Sequence, residues 1–148
     1  MTKHHFPTPE QTAARLIAEG WTLEEDIGFS AVAGPYWKRV TESGESQYCL
    51  PTDQRHVNLA GILHGGALMT LADRAIGRVA RQSIGLGRAV TTQLDVNFID
   101  AVQIGEVVEA HPELVRGTKT IIFMRCTFTV GERVVATAQG VWKALKPA

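Results

Sequence analysis

The chain has 148 residues, 45% of them apolar, enough for a single domain (1–148) with a substantial core. Fifteen Lys and Arg balance fifteen Asp and Glu, so no net field draws the protein to nucleic acid or to an acidic membrane surface, and an anionic ligand must be caught by local charges. No apolar run reaches the roughly 18 residues of a membrane span. The start MTKHHFPTPE has no apolar leader stretch, and Cys49 and Cys126 read as small buried hydrophobes rather than a disulfide; together these point to a reducing cytoplasm.

In chain order, residues 8–20 predict a short amphipathic helix, with Thr8 as cap, Pro9 in the first turn, Ala13, Leu16 and Ile17 at helical spacing and Gly20 as stop. Residues 1–33 form an N-terminal helical extension packed on the rest. GPYWKRV and SQYCLP, separated by the turn-like ESGE, predict a hairpin over 34–51, and 52–64 a loop. The strongest helix spans 65–81. Leu68, Ala72, Ala75, Ile76 and Val79 project onto one broad face, and Arg74, Arg78 and Arg81 onto a narrow stripe that meets water or anions. Four strand-like segments follow, 89–99, 106–115, 120–130 and 134–145, with turns at RGTK and VGER and a bulge or edge position at Pro112. This order predicts an α+β domain in which an antiparallel sheet wraps a long central helix, and the sheet's other face offers a surface to a second copy.

Chemistry concentrates in HVNLAGILHGGALMTLADRAIG, residues 56–77. A helix beginning at Gly65 presents unpaired N–H groups and partial positive charge at its tip. Gly65 and Gly66 either make a tight loop-to-helix junction or let a carbonyl oxygen approach those amides. His64 either bonds a nearby loop carbonyl or takes part in catalysis. Asn58 either closes an Asx turn or orients water or substrate. Asp73, inside an apolar helix, needs a partner: a salt bridge to Arg74 or Arg78, which project about 100 and 140 degrees away around the helix, or a role as base or nucleophile.

Gly65 and Asp73 are eight residues apart, about 12 Å along a straight helix. Attack requires the nucleophile within about 3.5 Å of its target, so one carbonyl cannot meet both groups of one chain. If they act together, the helix tip of one copy faces the aspartate of another.

Asn58, the His64-Gly65-Gly66 triplet and Leu71-Ala-Asp73, followed by Val96-Asn97-Phe98 and Gly105, resemble the hotdog-fold acyl-CoA thioesterases, in particular their PaaI-like, phenylacetate-pathway branch. The resemblance covers residues 34–145. It implies a central helix wrapped by an antiparallel sheet, homodimers paired into tetramers, sites shared between two chains, and an acyl-CoA substrate with a small aromatic or medium-chain acyl group. It implies no metal and no cofactor beyond the coenzyme A of the substrate. By the same resemblance the Gly65 amide polarises the thioester carbonyl, Asp73 of the partner is general base or nucleophile, and Asn58 and His64 position water and loop. Leu63, Leu68, Met69 and Phe98 would line the acyl pocket, Gly66 would bind substrate beside Gly65, and Arg116 and Lys119, then Arg88, would receive the coenzyme's phosphates. Where some relatives carry a serine or threonine that helps hold the water, this chain presents Gln93, with Thr91 and Thr92 beside it. The Arg-Pro that follows Asn-Phe in relatives is replaced by Ile99-Asp100-Ala101. The alternative is a non-catalytic acyl-CoA-binding or regulatory protein, against which the presence of Asp73 argues.

Overall fold

The structure is a computed structural model that describes residues 6–146; residues 1–5 of the expected N-terminal extension lie outside the described residues. Helix α1 (Pro9–Ala18) is capped by Thr8, whose side chain accepts from the Gln11 amide while the Gln11 side chain returns a bond to the Thr8 amide. A short strand β1 (Thr22–Leu23) and helix α2 (Gly28–Ala33) precede the hairpin of β2 (Trp37–Val40) and β3 (Ser46–Pro51). A loop with one 3-10 turn, Gln54–His56, leads into α3 (Gly65–Ser83), and β4 (Ala89–Phe98), β5 (Val107–Gly117), β6 (Ile121–Val130) and β7 (Arg133–Ala144) follow. The strands make one antiparallel sheet in the order β1-β2-β3-β5-β6-β7-β4. The expected helix, hairpin and four long strands all form within a few residues of their predicted limits; α2 and β1 were not foreseen. Pro112 lies on β5 beyond the last pair with β3, Tyr48 with Ala110, where one side of the strand is open.

The sheet curls around α3, as the resemblance implies. Leu68, Leu71, Ala72, Ala75 and Ile76 of the helix pack onto Val108, Ile122, Met124, Phe128, Ala136 and Trp142 of the sheet, all fully or almost fully buried. A smaller apolar cluster lies elsewhere: Leu16 of α1 packs with Trp21, Trp37, Cys49 and Val107. Here α1 covers part of the sheet's other face. Cys49 and Cys126 are buried and unlinked, and burial pushes both thiols up from their ordinary range, which keeps them inert. Among the described residues, no helix is long and apolar enough to cross a membrane.

The arginine stripe departs from expectation. Arg74 is buried, not solvent-facing: its Nη2 donates to Glu24 (3.0 Å) and Asp26 (2.6 Å), its Nε to Asp26 (3.2 Å), and its guanidinium lies 4.6 Å from the Tyr36 ring centre and 5.7 Å from that of Tyr48. Arg78 joins the same two carboxylates at 3.7 and 3.2 Å. The network ties the segment between β1 and α2 to the outer side of α3. Removing one member strands the others without their counter-charge. Arg74→Leu should therefore destabilise the fold by about 3 to 5 kcal/mol, read as a lower midpoint in urea unfolding; a shift under about 1 kcal/mol would mean that the network behaves as surface ion pairs do.

Candidate active site at the seam of α3 and β4

The loop before α3 aims the helix tip. His56 is buried and held at both ring nitrogens: Nδ1 accepts from the Asp53 amide (3.0 Å) and Nε2 lies 2.8 Å from the Ala33 carbonyl, an arrangement that suits a neutral ring with its proton on Nε2. Its own carbonyl accepts from the His64 amide at 2.7 Å. Asn58 closes an Asx turn, its Oδ1 accepting from Ala60 (2.8 Å) and Ile62 (3.2 Å), so the local reading of that residue holds. Its Nδ2 has no partner among the described residues and remains available to a ligand.

His64 is the helix cap: Nδ1 accepts from the Gly66 amide at 2.8 Å. The amides of Ala67 and Leu68 turn back to the His64 carbonyl at 2.9 and 3.3 Å. The Gly65 N–H is left without a partner among the described residues. It opens on a depression of about 400 Å³ lined by Asn58, Leu63, Leu68 and Phe98, in which a methyl group on Gly65 would sit 3.3 Å from the Phe98 ring.

Asp73 sits two turns further on, exposed in the single chain. Its Oδ1 accepts from Thr91 Oγ1 at 2.6 Å, and no arginine reaches it, because Arg74 and Arg78 are taken by Glu24 and Asp26. The salt-bridge reading of Asp73 is thereby set aside. A second depression of about 490 Å³ surrounds it, lined by Met69, Gly77, Thr91, Leu94 and Trp142. Gly65 and Asp73 thus lie in two separate hollows along one seam between α3 and β4, and β4 is an edge strand with one side unpaired.

Gln93 and Thr92 do not share the hollow. A bulge between Thr91 and Gln93 places Thr91 opposite Trp142 and Gln93 opposite Val141, with Thr92 as the extra residue, its hydroxyl on the Val141 carbonyl at 2.9 Å. Thr91, Leu94, Val96 and Phe98 then face α3, while Gln93 turns outward and donates to Asp95 at 2.8 Å. Thr91 is the polar group beside the aspartate; the threonine doublet was its only mark in the sequence. Of the expected acyl-pocket residues, Met69 lies with Asp73, and Leu63, Leu68 and Phe98 with Gly65; the amide of Gly66, expected to bind substrate, is taken by the His64 cap. Arg88, Arg116 and Lys119 are exposed around one end of the sheet, where the Leu145 amide donates to the Arg88 carbonyl (2.7 Å) and the Ala144 amide to the Thr120 carbonyl (2.9 Å). Among the described residues no cluster of three His, Cys, Asp or Glu is placed to hold a metal ion.

Residues 60–137 match the family model described as the thioesterase superfamily. An inferred esterase of Pseudomonas aeruginosa is 31% identical over 110 residues, 74% of this chain and 82% of that protein. Among solved structures, a conserved protein of P. aeruginosa superposes with a TM-score of 0.75 at 26% identity, covering 81% of this chain and 95% of that one. A hypothetical thioesterase of Streptococcus pneumoniae, solved with coenzyme A, superposes with a TM-score of 0.66 at 28% identity, covering 74% and 85%.

The cap assigns His64 a structural share. His64→Ala should cost about 1 kcal/mol, and His64→Asn, which restores an acceptor at the cap, should recover most of it, as read by urea denaturation; equal stability of all three proteins would remove the cap from the account.

Proposed function

The chain belongs to the thioesterase superfamily and has its hotdog fold; from that premise we propose that it is an acyl-CoA thioesterase whose active site is completed by two copies. The observation that carries the reading is the separation of the site's halves. Each chain offers a free Gly65 amide in one hollow and, about 12 Å away along the same helix, an aspartate held by Thr91 in another. The edge strand β4 borders both, so a second copy docking there brings tip to aspartate. In a two-fold pair with antiparallel α3 helices, Gly65 opposite the partner's Asp73 requires Asp73 opposite the partner's Gly65. The axis then passes by residue 69, where Met69 is 41% exposed.

In this arrangement the thioester carbonyl oxygen accepts from the Gly65 amide of one copy, and the helix tip stabilises the charge that develops there. Asp73 of the other copy takes a proton from water as the water oxygen bonds to the carbonyl carbon. Collapse of the tetrahedral intermediate breaks the C–S bond, and the departing thiolate recovers a proton. Direct attack by the carboxylate is the covalent variant of the same geometry. Thr91 fixes the carboxylate's orientation, Asn58 Nδ2 supplies a second donor near the amide, and Arg116, Lys119 and Arg88 are the cations for the coenzyme's phosphates. The streptococcal relative's coenzyme A supports the ligand class. Following the resemblance, the enzyme is PaaI-like and cytoplasmic, its dimers pair into tetramers, and small aromatic or medium-chain acyl groups are its substrates.

A panel of acyl-CoAs with a thiol-reactive dye tests the reading: thiol release from at least one supports it, whereas binding without release identifies a non-catalytic acyl-CoA-binding protein. Asp73→Asn should retain fold and affinity while turnover falls at least about a hundredfold. Thr91→Val should lower turnover about tenfold, the scale of a hydrogen bond to a charged group, with Thr91→Ser restoring it; near-normal turnover in Asp73→Asn would remove the aspartate from the chemistry. Proline suits the first helical position but has no N–H, so Gly65→Pro deletes the tip donor and sets its ring against Phe98. Mixed Asp73→Ala and Gly65→Pro chains should regain activity in hybrid dimers, and inactive confirmed hybrids would exclude the shared site.

A further inference from the structure

The hollow around Asp73 extends along α3 away from the amide end, between the helix and the start of β4. One flank is apolar or small, with Gly77, Ala89, Leu94 and Trp142, and the other is polar. A methyl group on Gly77 would stand 3.2 Å from Trp142 Nε1, so the glycine lets the indole pack closely against the helix at the floor of the hollow. Of the charged groups that line it, Asp26, Arg74 and Arg78 close on one another and on Glu24. Two charges are left unneutralised, one at each end: Asp73 and Arg81. The Arg81 Nε donates to the Gly87 carbonyl at 3.0 Å, which tethers the guanidinium and leaves both Nη groups without a partner among the described residues. Eight residues separate Arg81 from Asp73, about 12 Å along the helix.

We propose that Arg81 is a specificity determinant that binds a carboxylate at the far end of the acyl group, so that the preferred substrates are acyl-CoAs whose short apolar chain or ring ends in a carboxylate. The inference rests on the thioesterase reading, in which the scissile carbonyl lies at Asp73. A hollow of about 490 Å³ with an apolar flank of Met69, Leu94 and Trp142 between Asp73 and Arg81 holds a short acyl group and is too small for a pantetheine arm with its nucleotide. A tethered guanidinium with two free Nη groups matches a planar carboxylate, which accepts two parallel bonds. The reaction is unchanged in its balance: water adds, the C–S bond breaks, and the products are a dicarboxylic acid and the free thiol of coenzyme A.

The test uses pairs of acyl-CoAs of equal length, one ending in a methyl group and the other in a carboxylate. The carboxylated member should have the higher kcat/KM by at least about tenfold. Arg81→Gln should abolish this preference, and Arg81→Glu should turn it toward a partner ending in an ammonium group. Hydrolysis of both members with no preference in the wild type would overturn the inference while leaving the thioesterase reading intact. So would an equal loss for both members in Arg81→Gln with weaker inhibition by free coenzyme A, which would put the guanidinium on the coenzyme's phosphates. Failure to hydrolyse any acyl-CoA would overturn the thioesterase reading, and this inference with it.

Discussion

A helix advances about 1.5 Å per residue and does not fold back on itself. That rigidity governs the molecule, because α3 carries a free amide at its first position and a carboxylate two turns on. The sheet wraps the apolar side of α3 and leaves its flank against β4 open, so both groups surface along one seam. The edge of the sheet lies along that same seam. A closed sheet would satisfy the backbone of β4 but would seal the two hollows from any second copy.

Asp73 stays unpaired because other carboxylates satisfy its neighbours. Arg74 and Arg78 stand within one and two turns of it, and isolated from the rest of the fold either would be a ready counter-ion. Glu24 and Asp26, brought from 48 or more residues away in sequence, take both guanidinia and stack Arg74 against Tyr36 and Tyr48. The network has two positive and two negative members and so adds no net charge beside the hollow. What remains there is the aspartate, its threonine and, further along, the lone Arg81. Burying so many charges costs desolvation that a plain apolar contact would not, and it yields a carboxylate free of guanidinium contacts.

The helix tip shows the same division of labour. His64 looked like a catalytic group or a loop clasp, and it is the cap: by taking the Gly66 amide it leaves Gly65 as the donor with no partner. His56, which nothing in the local pattern singled out, locks the approach to the helix by bonding at both ring nitrogens. Its partners lie 3 and 23 residues away, and the longer of these spans a loop, a hairpin and a helix end, beyond the reach of any periodicity.

Local patterns sufficed for the elements whose causes are local. Thr8 and Pro9 start α1, the 3.6-residue rhythm marks α3, and alternation marks β4 to β7, because capping, amphipathic burial and pleating act over a few residues. The eight-residue spacing also sufficed to show that Gly65 and Asp73 of one chain cannot meet at a single carbonyl, since helix geometry converts sequence distance directly into length. Tertiary structure decided the rest. One extra residue at Thr92 shifts the alternation of β4 by one place, so that Thr91 rather than Gln93 meets Asp73, and whether a strand bulges depends on the register of its partner β7. The fate of the arginines was likewise settled by contacts between segments far apart in the chain, where only the folded geometry determines which opposite charges meet.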